Sequence, residues 1–133
     1  KQANWVDFGA GSIDVDGKLQ QINESLADLG TFDVVILGMG NDSHTASLFP
    51  CAIELSEGLT TQNDALMTQP TTAPHRRLSL SKKRLLDTKL GVIHIVGASK
   101  LGVYDKATKY ADDDIHPISH FAHHHQFSLW FAE

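Results

Sequence analysis

Two long apolar runs dominate the hydrophobic pattern of the chain. Residues 32–37 read FDVVIL and residues 90–96 read LGVIHIV, and both runs are short and rich in β-branched side chains. Runs of this kind are typical of strands that are covered on both faces, as in a parallel sheet. The closing run FSLWF at residues 127–131 predicts another strand, and the alternation of apolar and polar residues at 77–81 predicts a fourth.

Segments between these runs show the spacing of apolar residues that is typical of helices. Apolar residues between positions 19 and 29 recur at intervals of three and four, which predicts an amphipathic helix that ends at Gly30. Shorter helices are predicted over residues 44–49, after an N-cap at Ser81, and from a cap at Ser99 to about Tyr110. Residues 51–75 are polar and rich in threonine, so we expect an extended connection there.

The order of these elements indicates an α/β fold. Alternating strands and helices favour a mostly parallel sheet flanked by helices, in three layers. With 133 residues, of which 41% are hydrophobic, the chain is predicted to form a single α/β domain over residues 1–133. Its first residues indicate mostly loop, with a short strand at 5–8. Functional residues in such sheets gather at the carboxyl ends of strands, which directs attention to the loops after Leu37 and Val96.

The charge balance narrows the classes of partner. Eleven Lys and Arg residues against sixteen Asp and Glu residues give a net charge of -5, which argues against nucleic acid or an anionic membrane as the main partner. No apolar run approaches the roughly 20 residues of a membrane span, and the single Cys51 cannot form an internal disulfide. We therefore expect a cytoplasmic protein. The chain begins without an initiator Met, so we expect that its natural N-terminus is absent.

The strongest chemical signal is the segment GMGNDSHTASLFP at residues 38–50. Gly38 and Gly40 permit positive φ angles and a close approach of a ligand to the chain. His44 is able to take a proton from water while the carboxylate of Asp42 fixes its tautomer. The structural alternative is that Asp42 caps a helix and His44 is an exposed first-turn residue. A Rossmann loop lacks its third glycine here, and neither a P-loop nor a nucleophile-elbow motif occurs.

Several segments resemble one family. DVVILGMGNDSHTASLFP resembles the signature of the 6-phosphogluconolactonases, members of the glucosamine/galactosamine-6-phosphate isomerase superfamily. PHRRLSLS at residues 74–81, IVGASKLGVYDKA at 95–107 and the tail from HPISHF to FSLWF resemble further segments of that family. The resemblance spans roughly residues 32–131. It implies an incomplete sugar-phosphate isomerase-like fold, the C-terminal part of a longer domain.

The resemblance also implies an activity and a set of site residues. It implies hydrolysis of 6-phosphoglucono-1,5-lactone to 6-phosphogluconate in the oxidative pentose phosphate pathway, without a metal or another cofactor. His44 matches the general base of the family and Asp42 its accompanying carboxylate. Arg77 and Lys100 match the positions that hold the substrate phosphate, and a guanidinium together with an ammonium suits that group chemically. Solvated surface charges are the structural alternative for both cations.

Two departures from the family pattern leave alternatives open. Ser43 stands where the family has glycine, and the N-terminal phosphate loop of the family has no counterpart here. With a positive φ, serine would cost on the order of 1 kcal/mol or more and could displace His44. One alternative is an inactive module that binds sugar phosphates. Another is an aminosugar-phosphate deaminase or isomerase, although Thr45 to Pro50 follow the lactonase form. An exposed sheet edge also predicts self-association.

A cluster of histidines near the C-terminus invites a metal hypothesis. It consists of His116, His120, His123, His124 and His125. On a helix, three of these imidazoles would share a face and could bind zinc or nickel. No Cys or carboxylate accompanies them at the spacing of a closed site, so adventitious binding is the alternative and no metal site is predicted. Trp5 and Trp130 are predicted to lie in the core or at an interface.

Overall fold

The computed structural model describes residues 15–133, so the strand predicted at 5–8 and the place of Trp5 lie outside the described residues. In chain order, the elements within this range are α1 (Val15–Ala27), β1 (Phe32–Leu37), α2 (Leu55–Thr60), β2 (Ala65–Thr68), β3 (Arg77–Leu80), α3 (Lys82–Leu86), β4 (Thr88–Val96), α4 (Ala98–Ala107), α5 (Ser119–Ala122) and β5 (Phe127–Ala132). Among these helices, none has both the length and the apolar character that crossing a membrane requires.

A parallel sheet of three strands organises the fold. Its order is β1-β4-β5, with Val35 of β1 opposite Gly91 of β4, and Gly91 opposite Phe127 of β5. A Cβ at Gly91 would lie 2.4 Å from the Phe127 ring, so glycine allows this ring to pack against β4. β2 and β3 form a separate antiparallel pair. The α/β class and the parallel sheet predicted from the sequence are confirmed.

The main core lies on one face of the parallel sheet. Val35 and Leu37 of β1 and Ile93 and Ile95 of β4 are all buried there. Helices α2 to α5 cover this face, and the buried side chains that they contribute are Leu55, Leu85, Ala107 and Phe121. The core therefore holds β1 and β4 in place, and this fixes the points at which the loops after their carboxyl ends begin.

The predicted amphipathic helix is confirmed as α1, and it packs against the antiparallel pair. Ile22 and Leu26 are buried beside Ala65 of β2. The side chain of Asn23 accepts a hydrogen bond of 2.7 Å from the Ala65 N–H and donates one of 3.0 Å to the Ala65 carbonyl. The amide thus satisfies both backbone groups of one residue in an edge strand, which fixes the position of the helix along β2.

Most of the opposite face of the parallel sheet is exposed, although Val92 of β4, which lies on this face opposite Ile36, is buried. The exposed fractions are 50% for Val34, 69% for Ile36, 54% for Val96 and 57% for Trp130. The prediction that both faces of β1 are covered is therefore wrong for the described residues, and Trp130 is not a core residue. The apolar run predicts the strand correctly, but burial of its second face depends on a covering layer that these residues do not supply.

The segment between β1 and β3 differs most from expectation. Residues 44–49 form no helix, because Ser43 and Ala46 have positive φ angles of 63° and 50°. Such angles belong to the left-handed region and interrupt a right-handed helix. Residues 51–75 are not merely an extended connection, because they contain α2 and β2.

Of the two helix caps predicted from the sequence, one is confirmed and the other is wrong. Ser81 is confirmed as the N-cap of α3, since its hydroxyl accepts a hydrogen bond of 3.2 Å from the Arg84 N–H. Ser99 is not the cap of α4. Its N-cap is Gly97, two residues earlier, at a φ of 89°, and the helix ends at Ala107, short of the predicted Tyr110. Glycine tolerates this φ without a steric penalty, which sequence spacing alone did not reveal.

We propose that the exposed face and edge of β1 mediate self-association of the chain. Ile36→Lys is expected to raise the dissociation constant for self-association about tenfold or more, because it removes roughly 1.5–3 kcal/mol of apolar burial. Sedimentation velocity over a concentration series measures this change. Thr31→Lys is the control, since it adds the same charge at an exposed position outside the strand. Equal effects of the two substitutions would contradict a role for the sheet face.

Candidate active site

The loop that follows β1 is closed on itself by hydrogen bonds. The Gly40 N–H donates to the His44 carbonyl at 2.9 Å, and the Thr45 hydroxyl donates to the Gly38 carbonyl at 2.8 Å. Thr45 also forms an isolated β-bridge with Leu48, and both side chains are fully buried. These contacts fix the conformation of the loop, which includes His44.

Asp42 and His44 form a close side-chain pair. Oδ1 of Asp42 lies 2.5 Å from Nδ1 of His44 and 3.3 Å from the His44 backbone N–H. A Cβ at Gly40 would lie 2.2 Å from the imidazole and 2.6 Å from the Asp42 carboxylate. Any side chain at position 40 would therefore push the pair apart, which explains why glycine is needed there.

The environment of Asp42 keeps its carboxylate charged. Partial burial raises the pKa of Asp42, but hydrogen bonds from the His44 side chain and backbone outweigh this effect and hold the pKa below its ordinary value. An ionised carboxylate only accepts hydrogen bonds, so Nδ1 of His44 must carry the proton between them. Nε2 is then the basic nitrogen of the neutral ring, available to take a proton from water.

Phe49 connects His44 with Arg77. Its ring stacks on the imidazole, with centroids 3.9 Å apart and planes inclined by 24°. The Arg77 guanidinium carbon lies 5.6 Å from the centre of the same ring. Phe49 is buried whereas Arg77 is exposed. The buried ring therefore has a fixed position, and the His44 imidazole and the Arg77 guanidinium both pack against it. The sequence indicates Phe49 only as part of a motif and gives no sign of this role.

Lys100 reaches the same loop from the neighbouring strand. It lies in the first turn of α4, directly after β4, and its ammonium donates a hydrogen bond to the Met39 carbonyl. Lys100 and His44 line one cleft of about 460 Å³. The other residues that line it are Gly38, Met39, Gly40 and Ala46. A cleft of this volume lies within the range of small-molecule sites.

The two loops singled out in the sequence therefore converge. His44, Gly38 and Gly40 from the first loop share a cleft with Lys100 from the second, as expected from the carboxyl ends of neighbouring parallel strands. The glycines act differently from the prediction. Among the described glycines only Gly97 has a positive φ, and Gly40 is needed for the approach of the Asp42–His44 pair.

The comparisons with known proteins agree with this arrangement. A family model described as "Glucosamine-6-phosphate isomerases/6-phosphogluconolactonase" matches residues 2–130. The chain belongs to this family. The 6-phosphogluconolactonase of Pseudomonas putida is 31% identical over 125 residues, which cover 92% of this chain and 51% of the relative. That of Helicobacter pylori strain J99 is 41% identical over 91 residues, 68% of this chain and 39% of the relative.

A solved member of the family has the same fold. The crystal structure of a 6-phosphogluconolactonase from Shewanella baltica superposes with a TM-score of 0.80 and 42% sequence identity. The superposition covers 86% of this chain and 50% of the solved chain. The resemblance read from the sequence is therefore confirmed, and the chain spans about half the length of the relatives that it matches.

Ser43, the clear departure from the family motif, does adopt the conformation that glycine favours. Its φ is 63° and its side chain is almost fully buried. The Asp42–His44 pair is nevertheless in contact, with Oδ1 of Asp42 2.5 Å from Nδ1 of His44. The serine is therefore compatible with the geometry of the pair.

The C-terminal histidines do not share one helical face. Helix α5 has only four residues, and three of the five imidazoles have hydrogen-bond partners that differ from one another. His116 contacts Ser43, His120 contacts Asp112 and Asp114, and His123 contacts the Thr108 carbonyl. The interpretation of a shared helical face is therefore wrong. No group of three or more potential ligands suited to a metal ion occurs within residues 15–133.

Proposed function

We propose that this protein hydrolyses 6-phosphoglucono-1,5-lactone to 6-phosphogluconate, the second step of the oxidative pentose phosphate pathway, in the cytoplasm. The observation that carries the proposal is the Asp42–His44 pair beside a cleft that Lys100 also lines. A base and a cation on one cleft suit a substrate with a reactive ester at one end and a phosphate at the other.

His44 acts as the general base in the proposed mechanism. Nε2 takes a proton from water as the water oxygen bonds to the lactone carbonyl carbon. Collapse of the tetrahedral intermediate breaks the bond between this carbon and the ring oxygen, which receives a proton from the imidazolium. Asp42 holds the ring in one tautomer and stabilises its transient positive charge. The products are the opened acid and a regenerated neutral imidazole.

Lys100 and Arg77 hold the phosphate in the proposed complex. Lys100 lines the cleft itself, whereas Arg77 is placed beside it through the Phe49 ring that also supports His44. Binding of the remote phosphate positions the lactone carbon near the base, which converts binding energy into a lower barrier. The two cations have a specificity role in this scheme and take no part in bond making.

The names of relatives favour lactone hydrolysis over aminosugar-phosphate chemistry. Relatives at 31% and 41% identity are named 6-phosphogluconolactonase. A solved glucosamine-6-phosphate deaminase is only 16% identical, and its likeness concerns the fold alone. We therefore retain deamination or isomerisation of an aminosugar phosphate only as an outcome that assays on glucosamine 6-phosphate would reveal.

A second candidate function is binding without catalysis. It is favoured by Ser43, which stands between Asp42 and His44 with a strained φ of 63°. The deciding experiment follows hydrolysis of freshly prepared 6-phosphogluconolactone with a coupled dehydrogenase, against the spontaneous rate. Turnover above the spontaneous rate is expected. The spontaneous rate alone, together with saturable binding of 6-phosphogluconate in calorimetry, would instead establish the binding module.

A further inference from the structure

Ser43 occupies a strained position between the two members of the proposed catalytic pair. Its φ of 63° lies in the left-handed region, where a residue with a Cβ is disfavoured by about 1–2 kcal/mol. The chain turns at this residue, so its conformation sets how the neighbouring Asp42 and His44 side chains meet. A conformation of this kind persists only where surrounding contacts hold it.

A histidine far along the chain supplies one of those contacts. Oγ of Ser43 donates a hydrogen bond to the Asp42 carbonyl at 2.5 Å and lies 2.9 Å from Nδ1 of His116. A hydroxyl has only one proton to donate, so it must accept from His116. Nδ1 of His116 is therefore the protonated nitrogen, and the orientation of this hydrogen bond is fixed.

The same segment also holds the backbone of Ser43. The Ile118 N–H donates to the Ser43 carbonyl at 3.1 Å, and Pro117 and Ile118 are fully buried. His116 is in turn anchored, because its own N–H donates to the Asp113 carbonyl at 2.8 Å. Residues 116–118 thus contact Ser43 through both a side chain and the main chain, from a segment separate from the β1 loop.

We propose that His116, acting through the Ser43 hydroxyl, is a positioning residue for His44. The hydrogen bond from His116 fixes the hydroxyl against the Asp42 carbonyl and so holds the turn that brings Asp42 and His44 within 2.5 Å. This role rests on the proposed function of His44 as the base. Residues 116–118 become part of the support of the active site although His116 does not line the cleft.

The test uses His116→Leu, which removes the donor while retaining comparable bulk. We expect kcat for the lactone to fall about threefold to tenfold with little change in KM, the size expected for one lost neutral hydrogen bond. His116→Asn keeps a donor near the place of Nδ1 and should retain most of the wild-type kcat. His123→Asn is the control, since its Nε2 contacts the Thr108 carbonyl away from the loop.

A double-mutant cycle isolates the coupling between the two residues. Glycine at position 43 adopts the positive φ freely and carries no hydroxyl, so His116→Leu should have no effect on kcat in a Ser43→Gly background. If His116→Leu reduces kcat equally in both backgrounds, His116 does not act through Ser43 and the proposal is overturned.

The ring signals of His44 in NMR separate this proposal from the proposed function, because they require no substrate. His116→Leu should shift the ¹⁵N and ¹³Cε1 signals of His44 in the isolated chain, whereas His123→Asn should not. If these signals shift in a chain that hydrolyses no lactone, the lactonase proposal fails and the positioning role stands. Unchanged His44 signals in His116→Leu overturn the positioning role, even if its melting temperature falls.

Discussion

His44→Ala is expected to reduce lactone hydrolysis to the spontaneous rate. The imidazole supplies the only step in the proposed mechanism that generates the nucleophile, and a positioned general base contributes about 10²- to 10⁴-fold. Because spontaneous hydrolysis proceeds alongside, kcat should be measured at enzyme concentrations high enough to resolve a 100-fold loss. KM should change little, since the base contributes mainly in the transition state.

Two further variants sharpen this result. Asp42→Asn preserves the shape of the pair but removes the charge that fixes the tautomer of His44, so it should also lower kcat. His125→Ala is the matched control, because His125 is exposed and precedes β5. The start of β5 lies at the amino-terminal ends of the parallel strands, opposite the carboxyl ends that carry the cleft. Full activity of His44→Ala would refute the assignment of His44 as the base, whatever the other variants show.

Arg77→Ala and Lys100→Ala are each expected to raise KM for the phosphorylated lactone about 10-fold to 100-fold. A hydrogen bond to a charged group contributes about 1.5–3 kcal/mol, which corresponds to this range. Unphosphorylated gluconolactone should be hydrolysed with nearly unchanged kcat/KM by the same variants, because it lacks the group that the two cations bind. The comparison of the two substrates is therefore the diagnostic measurement.

The chain offers a matched control for each cation. Arg76 precedes Arg77 and is also exposed, and Lys106 lies farther along the same helix as Lys100 and is exposed. Arg76→Ala and Lys106→Ala make the same change in net charge without altering the cleft, so KM should remain near the wild-type value. Equal losses for both substrates in Arg77→Ala or Lys100→Ala would show that the residue is structural.

The strands of the parallel sheet are predictable because each central strand coincides with a continuous apolar run in the sequence. The apolar runs at 32–37 and 90–96 locate β1 and β4 correctly, although β4 begins two residues earlier, at Thr88. The four-residue β2 was not predicted. All its side chains are buried, but it is too short to show a period, and its place depends on pairing with β3.

The shape of the β1 loop was not predictable from local pattern. Leu48 and Phe49 suggest a short helix, but Thr45 bonds to the Gly38 carbonyl and bridges to Leu48. These contacts exist only once the turn at Ser43 has formed. That turn depends in part on residues 116–118, more than 70 positions away, and no local propensity reports such a contact.

The candidate site was predictable to the extent that it lies in one motif. Asp42 and His44 are two residues apart, so their contact follows from a tight turn. The approach of Lys100 depends on the register between β1 and β4, and that of Arg77 depends on the Phe49 ring. For both cations the resemblance to a family suggested a role, and the folded chain shows how each reaches the neighbourhood of His44.

The hydrogen bond from Lys100 to the Met39 carbonyl bears on the energetics of anion capture. A lysine side chain loses up to about 2 kcal/mol of rotational freedom when it is immobilised. Much of this entropy is already lost when the chain folds, because the Met39 carbonyl oxygen restrains the Lys100 ammonium beside the cleft. In the proposed complex, the ammonium would therefore exchange the Met39 carbonyl for a phosphate oxygen, and a freely moving lysine side chain would not have to be ordered. This preorganisation lowers the entropic cost of binding the phosphate in the proposed complex.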